Sequence, residues 1–319
     1  MVNINPLLTP AIEAYLIALI YRNTRTSCLS LAALCSFVSH DSLNRLLHSS
    51  FPWSRRLWEL FASRMIHEGG YLLLDDTTWQ RQAKTAEAVS KIWSSTAGSV
   101  RLGMQVVLLV WTDGHRKIPV GIRLWQKGGK SKVVLAKELI QEAFDRGLCP
   151  KYVLFDSWYT SKSILNLLEE LGWKYVARIK SNRLLEGEQI RWKWRQRFGQ
   201  ATGYLKEVMS EVRIIKDGKR YWVTNDLGLS AAQIKREYRN RQQIEETFRL
   251  LKQEFGWGGS STRKAAAQTA HLHLGMMALC LTQLAALAHK QTIYAFKRDL
   301  FLKPIPIQLP FLEYFAAAA

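Results

Sequence analysis

Asp75 and Asp76 in YLLLDDTT, Asp156 in KYVLFDSWYT and Glu245 in YRNRQQIEETFRLLK are carboxylates spread widely along a 319-residue chain. The aspartates close apolar runs, where an ionised carboxylate is costly to desolvate unless it is paired or ligates a metal. Strand ends that reach solvent, with Asp as a turn residue, would account for either run alone. Glu245 lies in a stretch that reads as one long helix. At 100° per residue, Tyr238, Arg241, Glu245 and Lys252 fall within roughly 60° of one another. They line the margin of an apolar stripe made by Ile244, Phe248, Leu251 and Phe255, centred about 80° further round. Glu246 points about 100° away from Glu245, so Glu245 is the candidate ligand of the helix. Three carboxylates from two strands and a helix suit two Mg²⁺ ions, hard cations that take oxygen ligands, with Mn²⁺ able to substitute. Two such ions about 3.5–4 Å apart serve phosphoryl transfer. Arg241 and Lys252 are placed to hold phosphate, Tyr238 can donate to a phosphate oxygen, and Arg249 is a further DNA-contact candidate on the same helix.

The elements that must carry these groups can be read from the same string. Residues 1–68 read as short helices, TPAIEAYLIALIYR, SCLSLAALCSFV, SHDSLNRLLHSS and SRRLWELFASRMIHEG, with Ser39 and Asp41 as candidate N-caps of the third. The segment holds six Lys/Arg against four Asp/Glu; DNA binding, dimerisation and packing are all open to it. Residues 69–182 change texture. GGYLLLDDTT and VRLGMQVVLLVW read as strands, TDGH as a hairpin turn and RKIPVGIRLW as the returning strand. VVLAKELIQEAFDRG, KYVLFDSWYT, SKSILNLLEELG and WKYVARIK then alternate helix and strand, with a glycine stop after the first. The fold class predicted is α/β: a mixed sheet with helices on its faces. Adjacent strand ends in such a sheet bring their acids into one crevice, where open α/β sheets place ligands.

Residues 183–225 interrupt the alternation with ten Lys/Arg against five Asp/Glu and a probable hairpin around KDGK. Residues 226–290 hold the Glu245 helix and AAAQTAHLHLGMMALCLTQLAALAH, an apolar helix predicted to pack across the sheet. Residues 291–319 form a C-terminal tail ending in FAAAA, which carries no signal.

A net charge of +19 and a pI near 9.9 indicate a polyanionic partner, most often nucleic acid. Arg191, Trp192, Lys193, Trp194 and Arg195 interleave base and aromatic as a nucleic-acid groove does; a solvated strand face is the plainer account. Cys28, Cys35, Cys149 and Cys280 form no CxxC, which fits a reducing compartment and gives neither a zinc site nor a disulfide framework. The expectation is a soluble, cytoplasmic chain without a membrane span, since Thr282 and Gln283 interrupt the most apolar stretch. His271 and His273 diverge on a helix and read as core rather than as ligands. GGKSK lacks the rest of a phosphate-binding loop and is set aside.

The spacing Tyr238, Arg241, Glu245, Lys252 resembles the signature of bacterial insertion-sequence transposases of the DDE class, in the insertion-sequence four superfamily. LLLDDTT looks like that family's first-Asp strand, VLFDSWYTS like its second, and VTNDLGLSAAQIKREYRNRQQIEETFRLLK like its run into the catalytic helix. The resemblance spans about residues 70–290. It implies a ribonuclease-H-like sheet with a β-strand insertion before the catalytic helix, matching 183–225. It also implies cut-and-paste transposition: hydrolytic nicking at the transposon ends, then attack of the freed 3′-hydroxyl on another phosphate, in some members through a hairpin intermediate. Asp156 and Glu245 carry over as metal ligands. The first Asp is Asp75 or Asp76, and the likeness of DDTT to the family's acid-Asp-Thr-Thr form favours Asp76. Gln242 stands where many members have Trp, so base stacking would fall to Trp222, Trp192 or Trp194, each of which also suits β-core packing. Double-stranded DNA, as terminal inverted repeats and target, is the implied partner. A homodimer on DNA and a bacterial, nucleoid-associated location are also implied. A relic that binds DNA without catalysis, or a nuclease or resolvase of the same fold, are the alternatives.

Overall fold

The computed structural model describes residues 8–21, 27–81, 85–94 and 98–302. The helices near the N-terminus are α1 (Pro10–Tyr21), α2 (Cys28–Ala32), α3 (His40–His48) and α4 (Trp53–Phe61). Next come β1 (Tyr71–Gln80), β2 (Ser90–Ser94), β3 (Ser99–Thr112), β4 (Lys117–Trp125), α5 (Lys132–Asp145), β5 (Tyr152–Phe155), α6 (Lys162–Glu170) and β6 (Tyr175–Arg178). The insertion holds β7 (Leu184–Leu185), β8 (Glu188–Gln189), α7 (Ile190–Lys193), β9 (Phe198–Tyr204), β10 (Glu211–Asp217) and β11 (Arg220–Thr224). The chain closes with α8 (Ala231–Arg239), α9 (Gln242–Gln253), α10 (Ala265–Ala288) and α11 (Ile293–Leu302).

The most apolar runs lie at the centre of one mixed sheet. β3 sits between β4 and β1, antiparallel to both, and β5 and β6 continue from β1 in parallel. Strands such as β5 and the first half of β1 are buried on both faces, as parallel strands under helices must be. Pro119 has no N–H to give the ladder, and the β3–β4 register slips there, with Val110 facing Pro119 next to Leu109 facing Gly121. Beyond β6 the sheet runs on through β11, β10 and β9. The 183–225 insertion is therefore joined to the central sheet edge to edge; only β7 and β8 form a separate pair. β2 pairs with the start of β3.

Serines start the helices that frame the sheet. Ser39, Ser131, Ser161 and Ser230 each accept a hydrogen bond from the backbone three residues on, and Ser230 forms a capping box with Gln233. α10 is apolar on every side and almost wholly buried, as such a helix must be. It is long and apolar enough to cross a membrane, yet 89% of its most apolar window is buried inside the protein. α1, α3 and α4 pack on it, and one continuous core runs from α1 through the sheet to α11. His271 is held at both nitrogens within that core, by the Tyr15 hydroxyl at 2.9 Å and the Gly256 carbonyl at 3.0 Å.

The Tyr238–Lys252 stretch differs from expectation: it is two helices. Asn240, Arg241, Gln243 and Ile244 each bond to the carbonyl three residues back, so the backbone overwinds at the joint. Tyr238 ends on α8, while Glu245 and Lys252 ride on α9.

Candidate active site

The pairing of β1 with β5 ends at Leu74 opposite Phe155. Continuing that register by one residue sets Asp75 beside Asp156 on strands about 4.8 Å apart. Alternation along β1 puts Leu73, Asp75 and Thr77 on one face and Leu74, Asp76 and Thr78 on the other. α9 packs on the first face. From the joint before it, Arg241 donates to Asp75 at 2.6 Å and to Glu245 at 2.8 Å, so one guanidinium spans the strand acid and the helix acid. Further along the same face Lys252 donates to the Thr77 hydroxyl at 2.6 Å and the Thr78 carbonyl at 2.8 Å.

Asp76 belongs to a different set. It accepts from Lys132 of α5 with both oxygens at 3.0 Å, from the Tyr159 hydroxyl at 2.7 Å and from Gln105 of β3 at 2.6 Å. The likeness of DDTT favours Asp76, but side-chain direction puts Asp75 with Asp156 and Glu245. The reason is the two-residue period of the strand, which turns neighbours to opposite faces.

Asp156 is fixed by its own turn. Its Oδ1 accepts from the Trp158 N–H at 2.8 Å, an Asx turn that ends β5 and leads to the Ser161 cap of α6. Asp75, Asp76 and Asp156 line one crevice of about 690 Å³ together with Lys132, Lys252, Gln105 and Trp158. Glu245 is not on its wall and is 58% exposed at the side chain. Glu246 faces elsewhere, as its angle on the helix predicts, and pairs with Lys117 at 2.6 Å.

The crevice crowds charges of both signs. Burial pushes the Asp75 carboxyl up to about 7; the Arg241 charge opposes this, and the negative neighbours Asp156 and Asp76 reinforce it. Burial works against the Arg241 charge, but Asp75 beside it raises its pKa overall. Desolvation lowers that of Lys252. Crowded hard oxygens are what a divalent cation takes as ligands, and in this respect the donor set fits one. The full convergence expected of the three acids is not reached: among the described residues no three His, Cys, Asp or Glu side chains are gathered closely enough to hold a metal ion. Arg241 lies between Asp75 and Glu245 instead of being free for phosphate.

The other sequence candidates are scattered. Tyr238 packs edge-on against Trp222, and Arg178 covers the Trp222 ring at 4.8 Å, leaving that indole 6% exposed. Arg191, Trp192 and Lys193 form a short helical turn rather than a strand. Trp192 is 66% exposed, Lys193 pairs with Glu188, Trp194 packs over Gly199, and Arg195 is exposed. Arg249 lines a separate groove with His115 and Tyr294.

Sequence reasoning missed a basic cavity of about 590 Å³ beside β11 and α8. Arg178, Arg197, Lys219, Arg220, Lys235 and Arg239 surround it, against Asp217 alone among its lining acids, with Trp222 and Tyr238 in its wall. The charge run KREYRNR was its legible trace; Arg178, alone at the end of an apolar strand, gave none. Lys132, Gln105 and Tyr159 were missed because nothing local ties them to Asp76.

The profile of the family described as the Transposase DDE domain matches residues 68–281. No curated protein matches the sequence. Among solved structures, the chain is similar to a piggyBac transposase synaptic complex with hairpin DNA. Identity is 14% and the TM-score 0.55, over 97% of this chain and 76% of that one. At that identity the likeness is one of fold. It is also similar to the NurA nuclease from Sulfolobus solfataricus, at 10% identity and a TM-score of 0.30 over 71% and 86% of the two chains. The Mos1 transposase paired-end complex with left transposon end gives 18%, 0.21, 51% and 57%. The last two scores are too low to imply a shared fold.

Proposed function

The chain belongs to the DDE-domain transposase family, and on that premise we propose that it moves a DNA element by cut-and-paste chemistry. It would nick DNA at the element's terminal repeats and join the freed 3′-hydroxyl to a target phosphate, as a homodimer that pairs two ends. The observation that carries this reading is the common face of Asp75, Asp156 and the α9 helix, with Arg241 linking Asp75 to Glu245.

Asp75, Asp156 and Glu245 are the proposed ligands of two Mg²⁺ ions, with Mn²⁺ as a substitute. Ions held there would supply Lewis acidity toward the attacking hydroxyl and the leaving oxygen. The chain's own groups do the rest. Arg241 holds the acid pair together, each of its terminal nitrogens engaged by one acid. Lys252, fixed by Thr77 and Thr78, presents a point charge on the same face. The basic cavity around Arg178 and Arg220 adds phosphate contacts that orient the duplex without reading sequence.

A second reading is supported by the Arg241 clamp itself: a chain that binds DNA and does not cut it. The deciding assay uses supercoiled DNA carrying the element's own terminal repeats with Mg²⁺. Excision and joining support transposition. Binding without cleavage supports the second reading, and cleavage without joining a nuclease.

A further inference from the structure

The second aspartate of the pair has work of its own. Its carboxylate fixes Lys132 and the Tyr159 hydroxyl, and these two side chains in turn hold Trp158. The Lys132 ammonium lies 3.9 Å from the centre of the Trp158 ring, and the Tyr159 ring meets it edge-on at 5.5 Å. The backbone of Trp158 meanwhile fixes Asp156 through its N–H. An indole gripped in this way would ordinarily be buried, yet Trp158 is 44% exposed and stands in the wall of the acid crevice. Across the crevice Trp93, on the β2–β3 hairpin, is 64% exposed, with Lys91 beside it on the same wall. Trp222, the sequence-stretch candidate for stacking, presents no comparable face, being covered by Arg178 and Tyr238.

Rigid, exposed aromatic faces interleaved with lysine are the pattern that binds single-stranded nucleic acid, because every base has a face to stack and every nucleotide a phosphate to neutralise. The crevice volume is in the range of small-ligand pockets, about 300–1,000 Å³, which has room for one or two nucleotides. We propose that Trp158, positioned by Asp76 through Lys132 and Tyr159, is a stacking platform for an unpaired nucleobase next to the bond that Asp75 and Asp156 flank, with Trp93 as the opposite wall. This rests on the DNA-cutting reading above and adds that the strand must be opened locally to enter. It also gives the two adjacent aspartates separate tasks, Asp75 toward the phosphate and Asp76 toward the base.

The test compares the full-length wild type with W158A, W158F and W158L, on a single-stranded oligonucleotide with 2-aminopurine among thymidines and on the same strand annealed to its complement. The expected results for W158A are a loss of roughly tenfold to a hundredfold in affinity for the single strand, and loss of the stacking-induced quenching of 2-aminopurine. The salt slope should not change, because no charge is removed. W158F should keep most of the affinity and W158L, which keeps bulk without a ring, should not. D76N should reduce quenching in a chain that keeps the indole. Equal affinity of W158L and wild type for the single strand, or equal losses on single strand and duplex, would overturn the platform. If the wild type cuts its terminal repeats but W158L behaves as wild type, the platform alone falls. If the wild type binds neither DNA, the DNA-cutting reading falls with it.

Discussion

Two parts of this molecule that enclose titratable groups treat them in opposite ways. In the core around α10, His271 and His273 are fully enclosed, and burial lowers both to about 4 so that they stay neutral. His271 has a partner at each ring nitrogen, and the Thr269 carbonyl meets His273. In the crevice, Asp75 is partly buried, shares one guanidinium with Glu245 and lies near the charges of Asp156 and Asp76. The core keeps its histidines neutral; the crevice crowds three carboxylates that a cation from outside can join. That contrast is what marks the crevice as a site rather than a packing accident.

The contrast can be broken most decisively by changing the acids. D75N, D156N and E245Q should each lower cleavage by at least about a hundredfold, the upper end of the cost of merely disturbing an outer-sphere partner of a metal ligand. DNA affinity should change little, because no phosphate contact is lost; melting temperature should change little in D156N and E245Q, whereas D75N also breaks the pair with Arg241 and should lower it. A parallel loss of binding in a filter or fluorescence assay would mean that these residues hold the fold instead.

Arg241 tests the clamp. R241A leaves Asp75 buried without its partner and should cost about 3 kcal/mol in urea unfolding, as breaking a buried pair does. R241K should recover part of the stability and less of the activity, since it keeps the charge and loses the fork. A neutral effect of R241A on stability would show that the pair is not a structural device.

The histidines sharpen the other half of the comparison. Their folded pKa values lie below the unfolded 6.5, so the unfolded chain binds more protons between pH 6.5 and 4. Stability should be complete above 6.5 and fall as pH drops through that window, by on the order of 3 kcal/mol per histidine. H271Q should flatten the pH dependence of unfolding; an unchanged slope would assign the acid sensitivity elsewhere.

Smaller effects separate surface from site. R178A and R220A should each reduce the slope of log K against log salt by about 0.9. Glu246→Gln, one residue from the proposed ligand but paired to Lys117 at the surface, should change stability by less than about 1 kcal/mol.

Much of this was legible in the sequence because it depends on local periodicity. The strand–helix alternation of 69–182, the serine cap of α3, the turn at TDGH and the opposite directions of Glu245 and Glu246 all follow from spacing. What could not be read depends on partners distant in the chain. Both faces of β1 are covered, so alternation separates Asp75 from Asp76 without saying which of them meets α9. The overwound joint at Asn240–Arg241 carries neither Gly nor Pro, and the stretch therefore reads as one helix. The insertion joins the main sheet through β11 and β6, a pairing between short strands that composition does not encode. Trp158 carries no local signal beyond its place in a family-like run, since Lys132, which packs on its ring, comes from a different helix.

The central claim is that Asp75, and not its neighbour, shares a divalent ion with Asp156 and Glu245. It is tested most directly by Mn²⁺ titration of wild type, D75N, D76N and E245Q followed by electron paramagnetic resonance with duplex DNA present. The account predicts that wild type and D76N bind Mn²⁺, while D75N and E245Q lose at least tenfold in affinity, roughly the smallest cost of disturbing a metal's surroundings. Mn²⁺ binding that survives D75N but fails in D76N, or that is missing from the wild type, would contradict it.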